Sequence, residues 1–211
     1  MNVADLRRDY QQAELTESSV FTSPFKQFEK WFEEAVKADL LEPNAMALST
    51  VNTEGEPSQR TVLLKAYDDK GLVFYTNYTS RKAQQIELNH NVSTLFPWYT
   101  LERQVIIQGV AEKVSTKESL SYFLSRPHGS QLGAWVSHQS KVISSRSILE
   151  MKLQEIKEKF QEGKVPLPDF WGGYRIKPTS FEFWQGRSSR LHDRILYQLD
   201  NNQWSVNRLA P

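Results

Sequence analysis

Residues 181–194 read FEFWQGRSSRLHDR, and the two halves of that stretch call for different surroundings. Phe181 and Phe183 alternate with Glu182 and Trp184, the period-2 pattern of a strand with one face in an apolar core. The second half sets Arg190, His192 and Arg194 at alternate positions, which share one face if the chain stays extended. Three cationic or potentially cationic groups on one face repel one another and need an anionic or electron-rich partner before they leave water. Arg-x-His-x-Arg alone also fits a solvated strand face. Trp184 favours a flat, electron-rich ligand, because it puts an indole on the polar side just ahead of the Gln185-Gly186 break.

Working outward, the chain reads as a succession of short strands. Residues 45–53, 59–66, 72–77, 92–99 and 103–114 are rich in β-branched and aromatic residues, parted by turn signals such as Glu54-Gly55-Glu56-Pro57 and Asp68-Asp69-Lys70-Gly71. Further strands are predicted at 173–176, 179–185, 194–199 and 204–208. Thr22-Ser23-Pro24 supplies an N-cap and an N1 proline for a helix with apolar positions Phe25, Phe28, Trp31, Phe32 and Val36. Ser115 and Glu118 form a capping box ahead of a second helix, and residues 147–161 read as another amphipathic one. The pattern predicts a mainly β protein, an antiparallel barrel with peripheral helices. Residues 1–20 are polar and read as a flexible arm, leaving 21–211 as a single domain.

Composition narrows the class. The 211 residues carry 26 Lys and Arg against 25 Asp and Glu, so basic residues must be read site by site and no global attraction to nucleic acid or membrane is expected. There is no cysteine, which excludes disulfides, thiolate metal sites and Cys nucleophiles. No metal centre is expected. The opening MNVADLRRDY has no apolar h-region and no window approaches a membrane-spanning run, so a cytoplasmic protein is the expectation.

Three clusters could carry chemistry, two of them as anion sites. Thr79 or Ser80 caps a helix whose first turn holds Arg81 and Lys82, and cations there oppose the helix dipole unless a bound phosphate reverses the sign. Arg60 and Lys65 lie at odd separation in RTVLLK, hence on opposite faces of a regular strand, serving different partners unless a bulge intervenes. Tyr122 and Arg126 share a helix face, and a Pro127-His128-Gly129 turn brings Ser130 back towards them as a phosphate clamp. Two anion sites suggest two phosphorylated ligands. Gln104 and Gln139-Ser140 offer amide and hydroxyl groups for a heterocycle's edge.

The motifs RTVLLK, YTNYTSRK, ERQV, HQS, FWGGYR and FEFWQGRSSRLHDR occur here in the order found in the pyridoxine (pyridoxamine) 5′-phosphate oxidase family, which the chain resembles from Arg7 to Pro211. The resemblance implies an FMN-binding split β-barrel, antiparallel and Greek-key-like, acting as a homodimer with sites at the interface. It implies FMN contacts at Arg60, Thr61, Val62, Leu63, Leu64, Lys65, Tyr75, Thr76, Arg81, Lys82, Gln104, Gln139, Ser140, Trp184 and Arg194. Substrate contacts fall on Lys65, Tyr122, Arg126, Ser130, Arg190, Leu191 and His192, with Arg7, Arg8, Asp9 and Tyr10 as a lid. Catalytic roles fall on Arg190, over a pyridine ring, and His192, against its substituents. The implied reaction oxidises pyridoxamine or pyridoxine 5′-phosphate to pyridoxal 5′-phosphate, with O2 as acceptor and H2O2 as product. His138, Lys141 and Arg187 receive no role. A non-catalytic carrier of flavin, haem or pyridoxal phosphate leaves Arg190 and His192 without a purpose, and a nucleic-acid module fits poorly with dispersed basic residues.

Overall fold

The computed structural model describes residues 9–136, 139–160 and 163–211. The strands are β1 (Ala45–Val51), β2 (Pro57–Leu63), β3 (Ala66–Asp68), β4 (Gly71–Asn77), β5 (Asn91–Trp98), β6 (Arg103–Lys113), β7 (Trp171–Gln185), β8 (Asp193–Asp200) and β9 (Gln203–Leu209). All pair antiparallel, in the order β2-β1-β5-β6-β7-β4-β3, with β8 also on β7 and β9 on β8. The helices are α1 (Pro24–Lys37), α2 (Arg81–Leu88), α3 (Thr116–Ser125), α4 (His128–Val136) and α5 (Arg146–Lys159).

The architecture turns on β7. One of its edges pairs with β6 along nearly its whole length, while the other is shared, Trp171–Ile176 with β4 and Ser180–Gln185 with β8. The sequence reading split this strand at Pro178, but it runs through. Pro178 sits beside the register shift at Gln108/Gly109, where the missing N–H is tolerated. A side chain at Gly109 would lie 2.2 Å from the Lys177 carbonyl oxygen, so the backbones approach closely there.

Alternation builds the core as read. Met46, Leu48, Phe96, Val105, Ile107, Phe181 and Phe183 face inward against Phe28 and Trp31 of α1. That helix starts as its sequence dictates, with the Ser23 side chain accepting from the Lys26 N–H and Pro24 at the first position. Its inner stripe includes Ala35, whereas Val36 is 51% exposed. A smaller cluster of Phe123, Leu132, Ala134, Val165 and Trp171 lies under α3 and α4. The Ser115 cap forms as predicted, accepting from the Glu118 N–H.

Two other expectations need correction. Residues 59–66 are not one strand: β2 ends at Leu63, and Leu64 and Lys65 turn the chain into β3, their N–H groups donating to Asn44 and Val73 carbonyls. The expected turn at 127–129 is the start of α4, with the Pro127 carbonyl accepting from Ser130 and Gln131.

Candidate functional site

A cavity of about 580 Å³ opens between the end of β2, β4 and the helices α2, α3 and α4. Lys82 enters it from the first turn of α2, 7% exposed, its Nζ donating to Thr76 Oγ1 and Gln139 Oε1, both at 3.1 Å. No carboxylate among the described residues pairs with it. Burial, followed by the charge of Arg60, pushes the Lys82 ammonium down to about 8. Ser80 does not line the cavity; it is fully buried, its hydroxyl accepting from the Ala83 N–H as the helix cap. Arg81 points to solvent and does not line the cavity.

The opposite wall is aromatic. Tyr75 stacks on Tyr122 at 3.9 Å between centroids and on Trp171 at 5.4 Å, with planes within 16°. Arg126 lies over the Trp171 ring at 4.7 Å, a cation–π contact, and its Nη1 is buried without an acceptor. Burial lowers the Arg126 guanidinium from its ordinary value. A buried guanidinium nitrogen with no acceptor is costly, and an anionic oxygen in the cavity would satisfy it. Tyr122, Ser130 and Lys65 line the same cavity, so the clamp read from sequence comes together there.

Thr61, Val62 and Leu63 also line it, but their neighbours do not. Arg60 turns to the Leu48 carbonyl, Thr50 and Ser58 at 2.6–2.9 Å. Burial and the charge of Arg81 lower its guanidinium. Leu64 is 4% exposed in the main core. Arg60 and Lys65 are placed apart, Lys65 lining the cavity and Arg60 not, because the strand ends between them and not through parity. Ser140 is exposed, with φ 71°. Asn77 and Trp171, which no cluster included, also line it; FWGGYR was the sequence signal for Trp171.

The remaining site residues lie elsewhere. Gln104, Trp184 and Arg194 occupy one cross-strand row on β6, β7 and β8, on the face of the sheet away from Phe183. Arg194 Nε donates to Glu182 Oε1 at 2.8 Å and its Nη1 to the Ala210 carbonyl at 2.9 Å. Arg190, His192 and Arg194 do not share a strand face. Ser188–Arg190 forms a 3₁₀ turn with Ser189 and Arg190 at φ 55° and 61°, and β8 begins only at Asp193. The alternation argument therefore fails; only Arg194 is in a strand.

That turn nevertheless orients the imidazole. The Arg187 N–H donates to His192 Nδ1 at 3.1 Å, so the neutral ring carries its proton on Nε2. His192 lies 4.6 Å from Trp184 and 5.7 Å from Tyr10. Arg190 and Leu191 are exposed beside them. Asp9 accepts from Gln11 Nε2 at 2.6 Å, and Arg7 and Arg8 lie outside the described residues.

Trp171 in the cavity and Trp184 in the cross-strand row stand on the same strand, β7. Thirteen residues of rise make roughly 40 Å of strand contour between them. The chain thus carries two separate clusters, a cationic cavity and an aromatic face.

Two family descriptions cover this arrangement. That of pyridoxamine 5′-phosphate oxidase matches residues 32–160, and that of the pyridoxine 5′-phosphate oxidase C-terminal dimerisation region matches residues 171–211. The chain belongs to the pyridoxamine 5′-phosphate oxidase family. Among its relatives are the pyridoxine/pyridoxamine 5′-phosphate oxidases of Crocosphaera subtropica, 63% identical, and Aliarcobacter butzleri, 60% identical, each matched over 100% of both chains. The crystal structure of PhzG from Burkholderia lata, in complex with tetrahydrophenazine-1-carboxylic acid, superposes with a TM-score of 0.88 at 30% identity, over 93% of this chain and 98% of that one. An FMN-binding protein from Nostoc punctiforme shares the fold, with a TM-score of 0.72 at 16% identity, over 91% of this chain and 100% of that one. The fold is the split barrel that the family resemblance implied.

Proposed function

We propose that the chain is an FMN-dependent oxidase that converts pyridoxamine 5′-phosphate and pyridoxine 5′-phosphate to pyridoxal 5′-phosphate. The observation that carries this reading is one cavity lined by three cations, Lys82, Arg126 and Lys65, together with a stacked aromatic wall. That arrangement suits two phosphorylated, planar ligands held side by side. The 63% and 60% identical oxidases support the choice of substrate, which the fold alone does not make.

The residues present fit FMN. Lys82 and Thr76, with Gln139, would hold its phosphate, and Thr61–Leu63 and Tyr75 would flank it. When bound, FMN supplies two-electron acceptor chemistry, with O2 as terminal acceptor and H2O2 as product. Lys65, Tyr122, Arg126 and Ser130 clamp the substrate phosphate, giving binding energy remote from the reacting carbon. His192, its proton fixed on Nε2 by the Arg187 N–H, is set to donate to a ring substituent. Arg190 supplies positive charge over the pyridine ring.

Because β7 holds the two half-sites apart, the face bearing Gln104, Trp184, His192 and Arg194 completes the cavity of a second copy, in a homodimer joined through the C-terminal dimerisation region. Residues 1–20 serve as the arm of a single barrel domain, 21–211, and Asp9 and Tyr10 belong to the lid. No helix among the described residues is long and apolar enough to cross a membrane; we assign the enzyme to the cytoplasm.

The test is anaerobic mixing of the purified holoenzyme with pyridoxamine 5′-phosphate. Loss of flavin absorbance and its return on admitting air is the expected result. A colourless protein that takes up no FMN ends this reading.

A further inference from the structure

Tyr10 sits edge-on to Trp184 at 5.8 Å and against His192, and it packs so closely on Gly186 that a side chain there would come within 2.7 Å of its ring. Something must hold the arm in this place. Two of its attachments are ion pairs near the surface, Glu14 with Arg187 and Glu17 with Arg208, whose side chains are 36–71% exposed. Such pairs are screened and contribute little. Leu15, 3% exposed in the core, anchors the far end of the arm, its N–H donating to Asp193 at 3.1 Å and its carbonyl accepting from Arg208 at 3.0 Å. The attachment next to Tyr10 is different in kind. Glu102, 8% exposed, accepts the N–H groups of both Gln11 and Gln12 on one carboxylate oxygen, at 2.9 and 3.1 Å.

The backbone of Glu102 grips the other side of the same junction. Its carbonyl accepts from the Gly186 N–H at 2.7 Å and from Gln185 Nε2 at 3.2 Å. The residue adopts a left-handed conformation, φ 53° and ψ 37°, where the 3₁₀ turn Tyr99–Leu101 ends. One residue therefore ties the arm and the Trp184–Gly186 segment together around Tyr10.

We propose that Glu102 is a positioning residue for the oxidase reaction, acting through Tyr10: its carboxylate clamps residues 11 and 12 so that the Tyr10 ring closes over Trp184 and His192. The inference rests on the proposed function, in which that face receives the substrate. Reach matters more than charge here, since a single oxygen accepts both N–H groups and a glutamine oxygen at the same distance does the same.

The experiment uses the holoenzyme with Glu102→Asn, Glu102→Asp and Glu102→Gln. Asn and Asp tolerate the left-handed backbone but are one methylene too short; Gln reaches. Hydrogen exchange of the Gln11 and Gln12 amides should accelerate in the two short variants, with β6 and β7 as protected as in the wild type. In those variants the KM for pyridoxamine 5′-phosphate should rise about tenfold, kcat should hold and flavin should stay bound. Glu102→Gln should match the wild type. In a Tyr10→Ala background the short variants should add no further KM penalty, because the clamp has nothing left to position.

Unchanged exchange at Gln11 and Gln12 in both short variants overturns the clamp. So does full multiplication of the Glu102→Asn and Tyr10→Ala penalties, or an Asp variant that behaves as wild type while Gln fails. A wild-type protein that does not oxidise the substrate overturns the proposed function instead, and the two amides still decide the clamp.

Discussion

The cavity half-site and the C-terminal half-site solve opposite electrostatic problems. In the cavity, Lys82 and the Nη1 of Arg126 are buried with no carboxylate among the described residues paired with them, and burial lowers both groups from their ordinary values. On the C-terminal face two of the arginines are neutralised: Arg194 pairs with Glu182, and Arg208 is held by Glu17 and Asp193, which raises both guanidinium values. The first region is unfavourable until an anion arrives; the second is already content and offers aromatic surface and hydrogen-bond donors. A site with this division of labour stores its ligand affinity on one side and its geometry on the other.

The sharpest way to break the comparison is to separate the halves genetically. Lys82→Ala damages only the cavity and Arg194→Ala only the face, and each homodimer should be inactive. Refolding or co-expressing the two together puts half of the molecules in mixed dimers, each with one site free of lesions, so about a quarter of all sites should recover. If native mass spectrometry shows mixed dimers and activity stays at the parental level, each chain serves its own flavin.

Next in size is Arg190→Ala. It should lower turnover by about 10²–10³ through loss of one preorganised cation, leaving flavin content unchanged by absorbance. Loss of flavin with activity would move Arg190 to the cofactor.

Arg126→Ala should act on binding. Its KM for pyridoxine 5′-phosphate should rise about ten- to a hundredfold, with little change for unphosphorylated pyridoxine. Equal penalties on the two substrates would remove Arg126 from the clamp.

The smallest effect is on stability and has an unusual sign. Below pH 8 Lys82 is charged in both folded and unfolded chains, and its burial cost is fully felt. Between pH 8 and 10.5 the folded apoprotein gives up that proton first, so the cost fades and stability rises with pH; above 10.5 neither state is charged. Lys82→Met should therefore raise apoprotein stability at pH 7, by at most about 3 kcal/mol, less the two hydrogen bonds lost. Flavin affinity should fall at the same time. Calorimetry that finds the apoprotein destabilised would show that Lys82 is satisfied without an anion.

Strand alternation and helix caps made most of the sheet, α1 and α3 readable, because those signals are local. The start of α4 was hidden by Gly129 and Gly133, which weaken the helical pattern. The turn at Ser188–Arg190 was hidden for the opposite reason: Arg, His and Arg at alternate positions imitate a strand, and nothing local shows two successive left-handed residues. The row Gln104–Trp184–Arg194 depends on the register of strands up to ninety positions apart, which no single segment carries. Arg60 was read as a flavin contact, but its partners Leu48, Thr50 and Ser58 were decided by β1–β2 pairing, which the segment RTVLLK does not carry.

The shared edge of β7 also bears on how this chain is made. β4 and β6 are synthesised long before residues 171–185 emerge, and each keeps an open hydrogen-bonding edge until then. A ribosome must complete most of the polypeptide before either edge is covered, so the nascent chain passes through a stage open to strand exchange with its neighbours. Truncation before β7 should yield aggregates rather than a smaller folded barrel, and slowing translation ahead of codon 171 should lower the yield of native enzyme.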